Sequence, residues 1–342
     1  MMKKLVSFLC CLVPFGAGAA DFTPGTGNSA DLSGLPGNST AGDNVIIANG
    51  NGISSSGPLT VVGNMYIGHD ATGTTGTNGD VYALIGIDSP FSILTGGALN
   101  IAGNLEVASG YELQIQNAAS VAAIDVVIGT TSANNTITAN GALNILNVNN
   151  LTLNGALTAA SDLTLSANNI QANSIAASGT TATITSTGNI DVAAALQYNG
   201  AGTANVTAAN ATITAGEIGN GNAVGKMTIT AGNINTTGDI KNSGTELNIA
   251  AANGDIISGG RITSDNGALT INAKNLTVNG GSGNDASLAL TGGTFTGVVS
   301  GATTFANGIS FTGANNFSLE TGTIDFGVAQ ELQWGDGKAK FK

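Results

Sequence analysis

The sequence predicts an all-β fold, a right-handed parallel β-helix (β-solenoid) of roughly 21-residue coils. Three observations predict it. The first is repeated wording. Gly267 to Gly280 reads GALTINAKNLTVNG, Gly141 opens GALNILNVNNLTLNG, Gly97 opens GALNIAGNLEV and Pro58 opens PLTVVGNMYIG. The second is a steady period. Taking Val61, Val81, Ile101, Val126, Ile145, Leu165, Ile184, Val206, Ile229, Ile249, Ile271 and Leu290 as markers, the steps are 20, 20, 25, 19, 20, 19, 22, 23, 20, 22 and 19 residues. The third is composition. Glycine supplies 51 of 342 residues, charged residues 9% and aromatics 4%, so a core must be built from small aliphatic side chains.

Each repeat unit is two very short strands around a polar corner. Alternation such as Leu269-Thr270-Ile271 sends one face inward and the other outward. The flanking Gly, Asn, Asp and Ser tolerate the backbone that sharp corners require. No helical periodicity is available for βαβ crossovers, which need a helix of a dozen or so residues. One unit cannot bury its own apolar face, so the copies must stack, at about 4.8 Å per coil. Parallel crossovers are right-handed in nearly all cases, which sets the expected hand. An antiparallel sandwich also suits short strands and frequent turns, but the constant period counts against it.

Taken in order, residues 1–20 read as a secretory signal peptide. Lys3 and Lys4 open it, Leu5 to Phe15 is an eleven-residue apolar run, and Ala17, Ala19 and Ala20 form a small-residue cleavage region. That run is too short to span a bilayer as a helix, and no later stretch predicts a transmembrane segment. Both cysteines, Cys10 and Cys11, lie inside it, so the exported chain would be stabilised by repetitive packing without disulfides. Residues 21–57, rich in Gly, Ser, Asn and Pro, read as an irregular segment or cap, with Val45 to Ile47 as the first strand-like run. Residues 58–294 carry the solenoid repeats. Asn104, Asn169, Asn189, Asn233 and Asn275 each precede an apolar residue opening a second strand, which places them at corners, stacked as a ladder. Residues 295–329 hold Phe295, Phe305, Phe311, Phe317 and Phe326, half of the ten phenylalanines, and read as shorter strands whose rings close the helix end. Residues 330–342, with Trp334, read as a polar tail.

Charge excludes one class of partner. Removing Lys3 and Lys4 from nine basic residues leaves 7 against 21 acidic ones, a net charge of −14. Phosphate neutralisation needs clustered Lys and Arg, so no nucleic-acid partner is expected. The search for chemistry yields no candidate catalytic, cofactor-binding or metal-ligating residue, and no cofactor is expected. Polysaccharide lyases and hydrolases with a β-helix fold need paired acid and base. Here Asp191, Asp239 and Asp255 sit singly in similar GNID or GDI corners, where they would stack along one edge; turn residues are the simpler reading, calcium ligands the other. His69 beside Asp70 is the only histidine and lacks a G-x-S-x-G elbow. GNGNAVGK, ending at Lys226, has the wrong glycine spacing for a phosphate loop, with Met227 in place of Ser or Thr. GGSGND, Gly280 to Asp285, resembles a calcium nonapeptide start, but occurs once and has Ser287 in an apolar position. Thr183 and Thr185, Thr212 and Thr214, and Thr228 and Thr230 flank inward isoleucines and resemble the T-x-T pairs of ice-binding solenoids; Asn248, Ala250 and Asn272 interrupt them.

The signal peptide, the cysteine-free remainder and the GALNI/NLTV repeats resemble the passenger regions of bacterial autotransporters and filamentous-haemagglutinin-type adhesins, over about residues 58 to 326. Two departures stand beside the resemblance. No membrane β-barrel pattern follows the repeats. Asn49 to Ile53 reads NGNGI, where two-partner adhesins carry an Asn-Pro-Asn-Gly type motif. The resemblance implies a secreted or cell-surface structural protein, adhesin-like and non-enzymatic, with a host-cell surface, matrix or glycan as partner. The alternatives are a polysaccharide-binding or polysaccharide-processing β-helix, for which the facing of Tyr66, Tyr82, Tyr111 and Tyr198 discriminates, and a surface-layer or ice-binding solenoid.

Overall fold

The computed structural model describes residues 20–22, 30–31, 45–48, 52–55, 58–68, 80–84, 90–117, 123–131, 134–280, 285–312, 316–327 and 338–341. Among them there is no helix, and the strand pairings are parallel. Residues 1–19, His69 and Asp70, and Trp334 lie outside the described residues.

The chain is a β-solenoid with three faces. The strand Ala142–Ala159 shows one whole coil. Leu143 and Ile145 pair with the next coil at Leu163 and Leu165 (face A), Leu151 and Leu153 at Ile170 and Ala172 (face B), and Leu157 and Ala159 at Ile175 and Ala177 (face C). Register shifts between Ile145 and Val148, and between Leu153 and Ala156, mark the two corners. An extra residue in one strand bends it, which lets a strand turn from face to face without ending. Asn147, at the first corner, has φ of 55°, a left-handed value that Asn tolerates better than most residues.

Six inward columns result, two per face. The second column of face A runs Ile53, Ile93, Ile115, Ile145, Leu165, Ile184, Val206, Ile229, Ile249, Ile271, Gly297 and Leu319. Seven of the sequence markers, Ile145 to Ile271, stand in this one column. The others do not: Val61 and Ile101 pair on face B, Val126 beneath Leu99 on the same face, and Val81 and Leu290 lie on face C. Burying each such side chain is worth about 1.5–3 kcal/mol, which a coil collects only when a neighbour covers it.

Order breaks once near the N-terminal end. On face C the strands follow as Ala20–Phe22, Val45–Ala48, Val81–Leu84, Met65–Ile67 and Leu105–Val107. Val81–Leu84 is thus inserted behind Met65–Ile67, which precedes it in sequence. Tyr66 and Tyr82 pair across this junction with rings 5.0 Å apart and stacked.

The C-terminal coils correct one expectation. Thr294–Phe305 and Asn316–Phe326 are long strands of 12 and 11 residues rather than short ones, because a bulge between Val299 and Ala302 carries the strand round the corner. The aromatic filling is present. Phe295 and Phe317 stack at 5.0 Å with planes 9° apart, Phe305 and Phe326 at 6.3 Å, and Phe311 meets Phe317 edge-on at 5.0 Å. Lys338–Phe341, in the stretch that reads as a tail, pairs with Asn316–Leu319 and extends face A.

Candidate functional site

Polar side chains fall in three places: inside the stack, at its corners and on its outer faces. Inside, the second column of face C passes Tyr198, Asn220, Asn242 and Ser264. The Tyr198 hydroxyl donates to the Gly179 carbonyl at 3.0 Å and accepts from the Gly202 N–H at 3.0 Å. Burial, its largest cause, pushes the Tyr198 pKa above the ordinary phenolic value; the Gly202 N–H opposes this and the Asp162 charge adds to it. Asn220 Nδ2 donates to the carbonyls of Gly225 at 2.9 Å and Glu246 at 2.8 Å, and Asn242 Nδ2 to those of Asn266 and Ala268 at 3.1 Å each. These amides hold the C-to-A corner from within.

The corner from face A to face B is held from outside by carboxylate and amide side chains. Asn169 Nδ2 donates to Asn150 Oδ1 at 3.0 Å, and Asn189 N–H to Asn169 Oδ1 at 3.2 Å. Thr212 N–H then donates to Asn189 Oδ1 at 3.1 Å, and Asp255 N–H to Asn233 Oδ1 at 2.9 Å. Asn275 Nδ2 donates to Asp255 Oδ1 at 2.8 Å, and Ala302 N–H to Asn275 Oδ1 at 2.9 Å. The expected ladder therefore exists for Asn169, Asn189, Asn233 and Asn275. Asn104 belongs to the face C corner instead, accepting from Thr136 N–H while its own N–H donates to Asn64 Oδ1, both at 2.8 Å.

The three aspartates do not stack along one edge. Asp191 points out from face B, paired with Thr214; Asp255 is a rung of the A-to-B corner; Asp239 is at the corner before face C, accepting from Arg261 N–H at 2.8 Å and facing Lys241 Nζ at 3.5 Å. In GNID the Asp follows the isoleucine, whereas in GDI it precedes it, and that one-residue offset changes its place. Among the described residues, no three His, Cys, Asp or Glu side chains group to hold a metal ion. Lys226 pairs with Glu246 at 3.6 Å. Ser287 is buried and donates to the Gly280 carbonyl at 2.6 Å, so an apolar position is filled by a satisfied hydroxyl. Of the four tyrosines, Tyr198 is inside, Tyr82 is buried against Tyr66, and Tyr66 and Tyr111 are half-buried, which makes no shared aromatic platform.

The outer faces differ. Along the centre of face A, outward positions pair as Ser92, Gln114, Asn144, Thr164, Thr183, Asn205, Thr228, Asn248, Thr270, Thr296 and Ser318. All eleven carry a hydroxyl or amide and none is charged; the register continues to Gly52 before Ser92 and to Lys340 after Ser318, which end the neutral row. The hydroxyls of Thr164, Thr183, Thr228, Thr270 and Thr296 make no hydrogen bond with any of the described residues. A second row beside it, Ser166, Thr185, Thr207 and Thr230, gives way to Ala250, Asn272 and Val298. Thr212 and Thr214 belong to face B, not to this array, because Ile213 pairs with Ile190 and Ile234 there. The T-x-T reading also passed over Asn144 and Asn205. Aligning GALNI at Gly141 with GALTI at Gly267 would have placed Asn144 and Thr270 in one row. Face B carries a shallow depression of about 160 Å³ between Gln171, Asp191, Thr214 and Thr237, floored by Ala193 and Gly216. It holds one carboxylate, where glycosidic cleavage needs two. No protein-family model, no curated protein and no solved structure matches this chain.

Proposed function

We propose that the chain is a secreted or cell-surface structural protein, adhesin-like and non-enzymatic, exported by residues 1–20 as signal peptide. The observation that supports this reading most is the continuous stack whose central outward row on face A, Ser92 to Ser318, carries hydroxyls and amides. Such a rod presents the same neutral chemistry coil after coil, which suits contact over a long surface better than turnover at one point. Fold alone does not give function, so the proposal rests on these side chains. Fractionation of producing cells tests the export half. The expected product lacks residues 1–20 and lies in the medium or on the cell surface; an intact N terminus retained inside the cell overturns it. Binding of the purified chain to host cells and matrix-coated plates tests the contact half. Saturable binding without polysaccharide cleavage is expected. Release of reducing ends from any polysaccharide would replace this reading with the processing one.

A further inference from the structure

The central row of face A is continuous, and its engagement is uneven: Gln114 donates to Gln116 Oε1, Asn144 to Glu112 Oε1 and Asn248 to Glu246 Oε1, while its five threonine hydroxyls stay without a partner among the described residues. Ten steps at about 4.8 Å make a track about 48 Å long, parallel to the solenoid axis. Side chains that could hydrogen-bond inside the chain do so elsewhere: Thr236 and Ser258, both buried, donate to carbonyls. The five row threonines named above keep their hydroxyls without a partner among the described residues, Thr183 and Thr296 exposed and the other three half-buried. Charge on face A lies at the margins and in the last coils, where Glu320 follows Val298 in the second row and Lys340 follows Ser318 in the central one. Glu112, Asp162, Lys226 and Glu246 start the face A strands on one side, and Asp125, Asp255 and Lys274 flank the corner on the other. A charged partner would find its complement at the margins, while the centre offers donors and acceptors without charge.

We propose that this row binds a neutral, linear polysaccharide lying along the solenoid axis. The proposal rests on the adhesin-like reading and names the partner of its outer surface. A linear chain needs one unbroken row. An ice lattice needs a two-dimensional grid, and Ala250, Asn272 and Val298 interrupt the second row, so the geometry favours the chain. Each sugar hydroxyl can both donate and accept, matching the mixture of Thr hydroxyls and Asn amides. Single contacts of this kind are worth about 0.5–1.5 kcal/mol, so affinity must come from their number.

The test is affinity electrophoresis of the purified protein through gels holding a neutral β-glucan, mannan or xylan. At least one should retard it, with size-fractionated fragments competing better as they lengthen. Thr183→Glu with Thr228→Glu places two carboxylates on the track at solvent-facing positions. This double variant should stay folded by circular dichroism and lose about tenfold or more in affinity. Thr152→Glu with Thr277→Glu, outward on face B, should bind as the parent does. Equal loss in both double variants, or no retardation by any neutral polysaccharide, overturns the proposal. So does inhibition of ice growth without glycan binding. Cell or matrix binding that persists with no glycan retardation rejects the row as the contact while leaving the adhesin-like reading in place.

Discussion

The coils around Ile229 and those around Phe295 share one backbone path but fill it differently. In the middle, face A packs Met227 with Ile229, Leu247 with Ile249, and Leu269 with Ile271, all buried. In the next coil the first position becomes Phe295 and the second becomes Gly297. A Cβ on Gly297 would lie 2.7 Å from Leu319 Cδ1 and 3.0 Å from Phe295 Cε1. The ring has taken the volume that its neighbour gave up. The Phe295 and Phe317 rings then stack at 5.0 Å, close to the spacing of the backbone strands that carry them. A parallel stack thus accepts aliphatic pairs, the aromatic-plus-glycine pair Phe295 and Gly297, and aromatic-plus-aliphatic pairs such as Phe317 with Leu319 and Phe91 with Ile93.

That comparison can be broken most sharply at the ring. Phe295→Ala should cost about 3–5 kcal/mol, because Gly297 beside it cannot close the cavity. Native-state hydrogen exchange should show the loss concentrated in residues 294–327; uniform loss through residues 142–278 would show that the two regions are one cooperative unit. Gly297→Ile restores the aliphatic pattern of the middle and adds apolar surface. It should nonetheless destabilise by about 1–3 kcal/mol through overpacking. A denaturant midpoint equal to the parent's would mean that the Phe295 ring can swing aside. In the middle coils, Asn220→Ala should cost about 1–3 kcal/mol by removing the two hydrogen bonds that its amide donates to the carbonyls of Gly225 and Glu246. Tyr198 adds a pH dependence of defined sign. Its folded pKa lies above the unfolded one, so its contribution is full below about pH 10 and is lost as pH rises through the folded value. Alkaline unfolding of Tyr198→Phe that matches the parent's would rule this out. The smallest effect belongs to the corner. Asn189→Ala leaves Thr212 N–H exposed to water and should cost only about 0.5–1.5 kcal/mol, read as faster exchange at that amide.

Period and alternation were legible because only inward positions must be apolar. Seven of twelve markers, Ile145 to Ile271, fall in one column for that reason. Phase was not legible. GALNI at Gly97 lies on face B, where Leu99 pairs with Val126, while GALNI at Gly141 lies on face A, where Leu143 pairs with Leu163. All three faces ask for the same apolar–polar–apolar triplet, so identical words serve on any of them. Thr212 and Thr214 were grouped with face A by the same ambiguity. The corner asparagines were readable because a turn needs a short acceptor side chain, whichever face follows. The backward placement of Val81–Leu84 had no local signature at all, since its strand reads like any other.

The corner ladder also gives the rod a polarity. Asn189 accepts from Thr212, Asn233 from Asp255, Asn275 from Ala302 and Asp162 from Thr181, so in each rung the acceptor belongs to the earlier coil. The inserted strand reverses this in sequence: Asp80, just before Val81–Leu84, accepts from the earlier Asn64 N–H at 2.6 Å. The two ends of the ladder are therefore unlike: its last rung offers an oxygen and its first an amide.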